Sequence, residues 1–204
     1  MKNSMPTKVQ ELLNARFCHD LANSLGTLQL SVDHLLCLEK KKLKENDLAR
    51  YNTLDLIQRA TKTSLGKHHL YRFAYGSPDA LEGYTFKEIA NIIDKFNVET
   101  SFVFVPLSDK SVLTGESAKL FLNIYLLSTE IIPFGGTITA KHQKDQFEVM
   151  LDAEYKQITD LNVIKEEDLT SKNIQLYYTF FLHNVLDRKI IIENQKEEIR
   201  ITSK

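Results

Sequence analysis

The sequence predicts an α+β protein, with an antiparallel helical hairpin in its first half and an α/β sandwich in its second. Three observations carry this reading. Apolar residues recur at helical spacing from Val9 to Glu39, and no proline stands between Pro6 and Pro78. The stretch "YGSPDALEGY" gathers Gly76, Ser77, Pro78 and Gly83, which interrupt the helical pattern. Beyond it, helical and β-rich segments alternate. The expected domains are residues 1–76 and 84–204.

In the first helix Leu21, Leu25, Leu28, Val32 and Leu35 step by four, three, four and three, with Phe17 continuing the stripe. That is a heptad-like seam. The basic run "EKKKLKEN" (39–46) is short and flanked by glutamates, and reads as a solvated loop rather than a phosphate-binding patch. Asn46 or Asp47 can cap a second helix running to Tyr75, whose buried side is expected to include Leu54, Ile57, Leu65 and Tyr71. In the second half, "FKEIANIIDKF" (86–96) reads as a helix, "SFVFVPL" as a strand and "GESAKLFLNIYLLSTEII" (115–132) as a buried helix. "GGTITAKH" and "DQFEVMLD" form a hairpin, "EEDLTSKNIQLYYTFFLHNVLD" a helix, and "RKIIIENQKEEIRIT" a second hairpin. The order α-β-α-β-β-α-β-β is that of one sheet with helices on one face.

Composition narrows the function. The 204 residues carry 26 basic and 27 acidic side chains, a net charge of −1. That balance gives no electrostatic footprint for nucleic acid and no strong attraction to a membrane surface. No apolar run is long enough to span a bilayer and the N-terminus lacks an apolar leader core. The two cysteines, Cys18 and Cys37, fit no zinc-ligand spacing and suit a reducing compartment. The expected location is the cytoplasm, with no metal held by the chain itself.

The sharpest local feature is "ARFCHDLANSLGTLQL". At about 100° per residue, His19 points about 200° away from Phe17 and Leu21, on the wet side of the helix. Arg16 and Asn23 share that face, and Asp20 stands beside the histidine, able to orient its ring or take a proton. Gly26 costs about 1 kcal/mol of helix stability relative to alanine. A glycine there keeps the surface flat enough for another protein to approach. With the hairpin turn centred near Leu43, His19 lies opposite "GKHHLYR", so that Lys67, His68 and Arg72 can offer positive charge to a phosphoryl group.

"FCHDLANSLGTL" resembles the H-box of dimerising histidine-phosphotransfer domains, and in particular the ChpT-type histidine phosphotransferases of alphaproteobacteria. Arg16, Cys18, His19, Asp20, Leu21 and Gly26 match that pattern, while Ser24 stands where proline is common. Arg72, Ala74 and Gly76 match the end of the family's second helix. "KLFLNIYLLSTEIIPFGGTITA" looks like its remnant of a kinase N-box and the following Gly-Gly turn, and "NIQLYYTFFLHNVLDRKI" is similar to its last helix. The resemblance implies a homodimer whose two hairpins form a four-helix bundle, and a C-terminal domain like a degenerate (Bergerat) histidine-kinase ATPase fold that does not use ATP.

The expected activity follows. Asn123 survives in the N-box-like segment, but Leu127 follows it by one turn and no glycine occurs after Gly136. Backbone amides that cradle a triphosphate need glycine to come close. Autophosphorylation from Mg-ATP is therefore not expected. What remains is a relay in which His19 takes a phosphoryl group from the receiver domain of a hybrid histidine kinase and passes it to a response regulator. The receiver brings the Mg²⁺. Asp20 would hold the imidazole tautomer, Arg16, Asn23, Lys67 and Arg72 would support the phosphoryl site, and Gly26, Thr27 and Leu30 would form part of the docking surface. The alternatives are an atypical ATP-dependent kinase, which would bind ATP, and a dimeric adaptor for response regulators with no phosphoryl chemistry.

Overall fold

The computed structural model describes residues 5–40, 47–97, 101–107, 111–143, 146–157, 165–195 and 198–203. Two long helices, α1 (Thr7–Lys40) and α2 (Asp47–Tyr75), form the hairpin. A 3₁₀ turn at Pro78–Leu81 leads to α3 (Phe86–Phe96), β1 (Phe102–Pro106), α4 (Gly115–Ile131), β2 (Gly136–Gln143) and β3 (Gln146–Asp152). A second 3₁₀ turn, α5 (Ile174–Val185), β4 (Ile190–Gln195) and β5 (Glu198–Ser203) complete the chain. The basic loop at 41–46, and with it Asn46 as a cap, lies outside the described residues.

The five strands form one sheet in the order β1-β2-β3-β5-β4. β1 runs parallel to β2, as it must when α4 is the crossover between them, and the other neighbours are antiparallel. Alternation sets the faces. Ile138, Ala140, Phe147, Val149, Leu151, Ile199 and Ile201 point into the core, while Lys141, Glu148 and Arg200 face out, with Arg200 and Glu148 paired at 3.1 Å. α3 starts on a capping box between Thr85 and Glu88 and buries Phe86, Ile89, Ile93 and Phe96 on one side. α4 begins at a Thr114 cap and is buried along nearly its whole length.

The core does not stop at the hairpin. Leu70, Tyr71, Phe73 and Ala74 of α2 belong to the same buried cluster as α3, α4 and the sheet. At the start of α1, Val9 and Leu13 pack with Leu169, Ile174 and Tyr178. That second cluster corrects the expected last helix, which begins at Ile174 rather than near Glu166. Burying Leu169 requires extended backbone there, and Thr170 instead starts a turn in which its N–H donates to Asn173 Oδ1 at 2.8 Å.

The hairpin also corrects the expected seam. Between the two helices the buried residues are Ser24, Ser31, Thr53 and Ala60 rather than the leucine stripe. Ser31 and Thr53 donate their hydroxyls to carbonyls one turn back, at 2.8 and 2.7 Å, so small polar side chains can be buried without orphaned donors. His34 Nδ1 donates to the Thr53 hydroxyl oxygen at 3.0 Å. Small residues let the helices close tightly, which turns the larger ones outward. Leu21, Leu28, Val32, Leu35 and Ile57 are only half-buried, Leu25 is exposed, and Leu54 and Leu65 of α2 are 52% and 56% exposed.

The buried end of α5 carries a titratable group. His183 Nδ1–H donates to the Thr179 carbonyl at 2.8 Å, and its Nε2 accepts from Ser203 Oγ at 3.0 Å. Burial, aided by the charge of Arg188 and only partly opposed by the Thr179 bond, holds its pKa below the ordinary 6.5. The folded state therefore resists a proton that the unfolded chain accepts, and stability is complete above 6.5 and falls as pH drops below it. Denaturant midpoints should decline on acidification below that value, and His183→Gln, which does not titrate there, should flatten the decline.

Candidate functional site

α1 is long enough to carry His19 past the layered core while its first turns stay anchored there. The His19 side chain is 74% exposed, and Asp20 beside it is half-buried against α2. The Asp20 carboxylate has two roles split between its oxygens. Oδ1 lies 3.3 Å from His19 Nδ1, and Oδ2 accepts a hydrogen bond from Tyr71 Oη at 2.6 Å. When Nδ1 carries the proton and donates it to Oδ1, Nε2 is left with its lone pair toward solvent.

Around this pair the structure places the expected residues unequally. Lys67 Nζ donates to the main-chain carbonyl of Asp20 at 3.1 Å, as the hairpin register requires. Arg16 does not stand free beside the histidine. It turns toward the C-terminal half, where its guanidinium forms an ion pair with Glu130 at the end of α4, and its Nε sits 3.8 Å from Asp20 Oδ2. Arg72 is exposed, with its guanidinium over the ring of Phe73 at 5.6 Å, and is not brought to His19. Asn23 is exposed, its carbonyl accepting from Thr27 Oγ1 at 3.1 Å. Gly26, Thr27 and Leu30 follow on the same face, with Leu30 72% exposed and open space where a Gly26 Cβ would stand.

Tyr71 and Glu130 are the partners that sequence reasoning missed. Tyr71 was expected as a core residue, and it is one. Its ring meets Phe17 edge-on at 5.8 Å and stacks on Tyr75 at 5.5 Å, while its hydroxyl reaches Asp20. Burial first, and then the Asp20 charge, push its phenol far above its usual range, so it stays protonated and donates to Asp20. Burial also raises the Glu130 carboxyl, against the opposing pull of Arg16. Burial works against the Arg16 charge, but Glu130 more than offsets it and the guanidinium is held charged. Tyr71 follows Lys67 by one helical turn on the face turned to α1, which is a usable signal; nothing local to Glu130 announces its contact across 114 positions.

A cavity of about 950 Å³ opens beside this cluster, between Arg16, His19 and Asp20 on one side and Leu127, Glu130 and Leu176 on the other. Asn123, the residue in the N-box-like segment, lies deeper and is fully buried. Its Nδ2 donates to the carbonyls of Ala74 and Lys119 at 2.8 and 2.9 Å, and its Oδ1 accepts from Gln175 Nε2 at 3.0 Å. Both ends of that amide are therefore engaged in joining α2, α4 and α5. Among the described residues no group of three or more His, Cys, Asp or Glu could hold a metal ion, Cys18 and Cys37 are exposed free thiols, and no helix is long and apolar enough to cross a membrane.

The family model described as "Histidine phosphotransferase C-terminal domain" matches residues 86–198, more than half of the chain, and the chain belongs to that family. Membership assigns it to phosphorelay. It is similar to a solved bacterial phosphotransferase, with 20% identity, 100% of both chains covered and a TM-score of 0.79, a likeness of fold. A looser likeness is to the Acinetobacter baumannii histidine kinase AdeS, at 12% identity over 91% of this chain and 95% of that one, with a TM-score of 0.41. Comparison with curated proteins gives no match.

Two glycines in the hairpin should respond oppositely to a methyl group. Gly26→Ala meets nothing and should raise stability by up to about 1 kcal/mol. Gly66→Ala would drive its Cβ into the Lys95 carbonyl and the Phe96 backbone at the end of α3, and should lower stability by about 1 to 3 kcal/mol. Thermal unfolding of the two variants beside wild type measures both signs.

Proposed function

We propose that this protein relays phosphoryl groups between receiver-domain aspartates through phosphohistidine at His19, as a cytoplasmic homodimer. The observation that carries the reading is an exposed imidazole whose Nδ1 side is held by Asp20, on a helix face kept flat at Gly26. The Nε2 lone pair attacks the phosphorus of an aspartyl phosphate on the donor receiver. The P–N bond forms as the acyl-phosphate P–O bond breaks, and that electron pair leaves with the receiver's carboxylate. The ring becomes cationic, with hydrogen on Nδ1 and phosphorus on Nε2, and Asp20 offsets the charge. Transfer to the acceptor's aspartate reverses these steps. The receiver supplies Mg²⁺, and this chain supplies position and charge. Asn23 and Lys67 are proposed to support the phosphoryl site, and Gly26, Thr27 and Leu30 to receive the docked partner. Arg72 is further from this role than its motif match implies.

Two features favour a relay over an ATP-dependent kinase. The Asn123 amide is engaged on both ends within the fold, and the sequence after Gly136 contains no glycine for a phosphate-binding loop. With a phosphorylated receiver domain of a hybrid kinase and Mg²⁺, wild type should acquire acid-labile, base-stable label, and His19→Ala should acquire none. Labelled ATP alone should give no label. Label from ATP would make the protein a kinase; retained receiver binding with no label from either source would leave the adaptor.

The uncovered apolar side chains favour assembly. Leu25 of α1, and Tyr51, Leu54 and Leu65 on one face of α2, are exposed in the single chain. A second hairpin packed on them makes a four-helix bundle. Light scattering should give twice the chain mass, and Leu54→Glu should shift it toward the monomer. A concentration-independent monomer mass for wild type would sink this reading.

A further inference from the structure

Asp20 follows His19 in the chain and faces its ring. It is the middle of a chain of contacts that begins in the C-terminal half. Glu130, at the last turn of α4, holds the guanidinium of Arg16. Arg16 Nε lies 3.8 Å from Asp20 Oδ2 and makes no hydrogen bond of its own among the described residues. The same Oδ2 accepts from Tyr71 Oη at 2.6 Å, and the other oxygen faces His19 Nδ1 at 3.3 Å. Lys67 fixes the backbone at the same residue. The carboxylate is thus clamped on its inner oxygen and free only on its outer one.

The clamp has a chemical consequence at the ring. An unrestrained histidine side chain prefers its proton on Nε2, which would occupy the atom that must attack phosphorus. Asp20 reverses the preference only while an oxygen is presented to Nδ1. A carboxylate on a helix surface has two soft dihedrals and would otherwise rotate toward solvent or toward Arg16. Tyr71 removes that freedom. Glu130 draws the charged end of Arg16 away from Asp20, so that the guanidinium does not take both carboxylate oxygens as a bidentate pair.

We propose that Tyr71 and Glu130 are positioning residues for His19: Tyr71 fixes the Asp20 carboxylate, Glu130 restrains Arg16 from capturing it, and together they hold His19 as the Nδ1–H tautomer with Nε2 free to attack. The phosphoacceptor is therefore set partly from the C-terminal half. This rests on the relay reading, but its first consequence, the tautomer, is measurable without any transfer.

The test uses the full ¹⁵N-labelled chain, with the His19 ring signals assigned by their loss in His19→Ala. Long-range ¹H–¹⁵N spectra at a pH where the ring is neutral should show the Nδ1–H form in wild type. Tyr71→Phe, which keeps the ring and its packing, and Glu130→Gln should both shift the ring toward Nε2–H. Phosphoramidate then probes the nucleophile without a partner. Its P–N bond breaks, ammonia leaves with the electron pair, and phosphorus bonds to Nε2, read as an acid-labile mass gain. Both variants should label about fivefold more slowly than wild type, which is what one ordinary hydrogen bond contributes net. Unchanged tautomer and rate in variants that fold, even with a lower unfolding temperature, would overturn the proposal and leave Tyr71 and Glu130 as structural contacts. A tautomer that shifts in both variants while a phosphorylated receiver fails to label wild type would support the clamp and overturn the relay reading.

Discussion

The last two turns of α2 are shared property. Leu70, Phe73 and Ala74 are buried in the layered core, Tyr71 turns its hydroxyl to α1, and the Ala74 carbonyl is held by the Asn123 amide. One helix end thus serves two packings at once, and that constraint fixes where the hairpin stands on the sheet domain. It sets the height of α1 beside α4, and so brings Arg16 against Glu130 and leaves His19 just clear of the surface. Gly66 makes the arrangement possible one turn earlier, because α3 ends against its bare backbone.

Burial and exposure divide the histidines into different chemistries. His183 is buried with both ring nitrogens occupied, and burial favours its neutral form. His142 is packed between the rings of Phe86 and Phe147. At His19, on the flat face of α1, the imidazole has its Nδ1 turned to Asp20 and its side chain largely open to solvent. The proposed relay needs that combination, since the transfer has to be reversible and the ring has to be reached by large partners in turn.

Much of this was readable beforehand, for identifiable reasons. The end of α2 emerges because Gly76 and Pro78 break the pattern after it, and α3 because "FKEIANIIDKF" keeps a helical period. His19 declares its exposure through its two-residue offset from Phe17 and Leu21. The seam was misplaced because periodicity reveals which residues share a face and is silent on what covers that face. Leu54 and Leu65 do share one, but the neighbour within the chain packs on Thr53 and Ala60 instead. Arg72 matched a motif, yet one step around the helix from Tyr71 carries it off the site. Glu130 was invisible because an ion pair between distant segments leaves no local pattern.

The hydroxyl-lined closure of the hairpin has a consequence for how the molecule holds together along its length. Near the sheet domain the helices are anchored by aromatic rings; toward the loop they meet through Ser24, Ser31 and Thr53, with the Ser31 and Thr53 hydroxyls bonded back into their own helices and His34 reaching across to Thr53. Local stability must then grade from the anchored end to the loop end. In the proposed dimer a second hairpin covers the leucines, so that by mass action the order of the outer turns would become a function of concentration, an intermolecular property written into one chain.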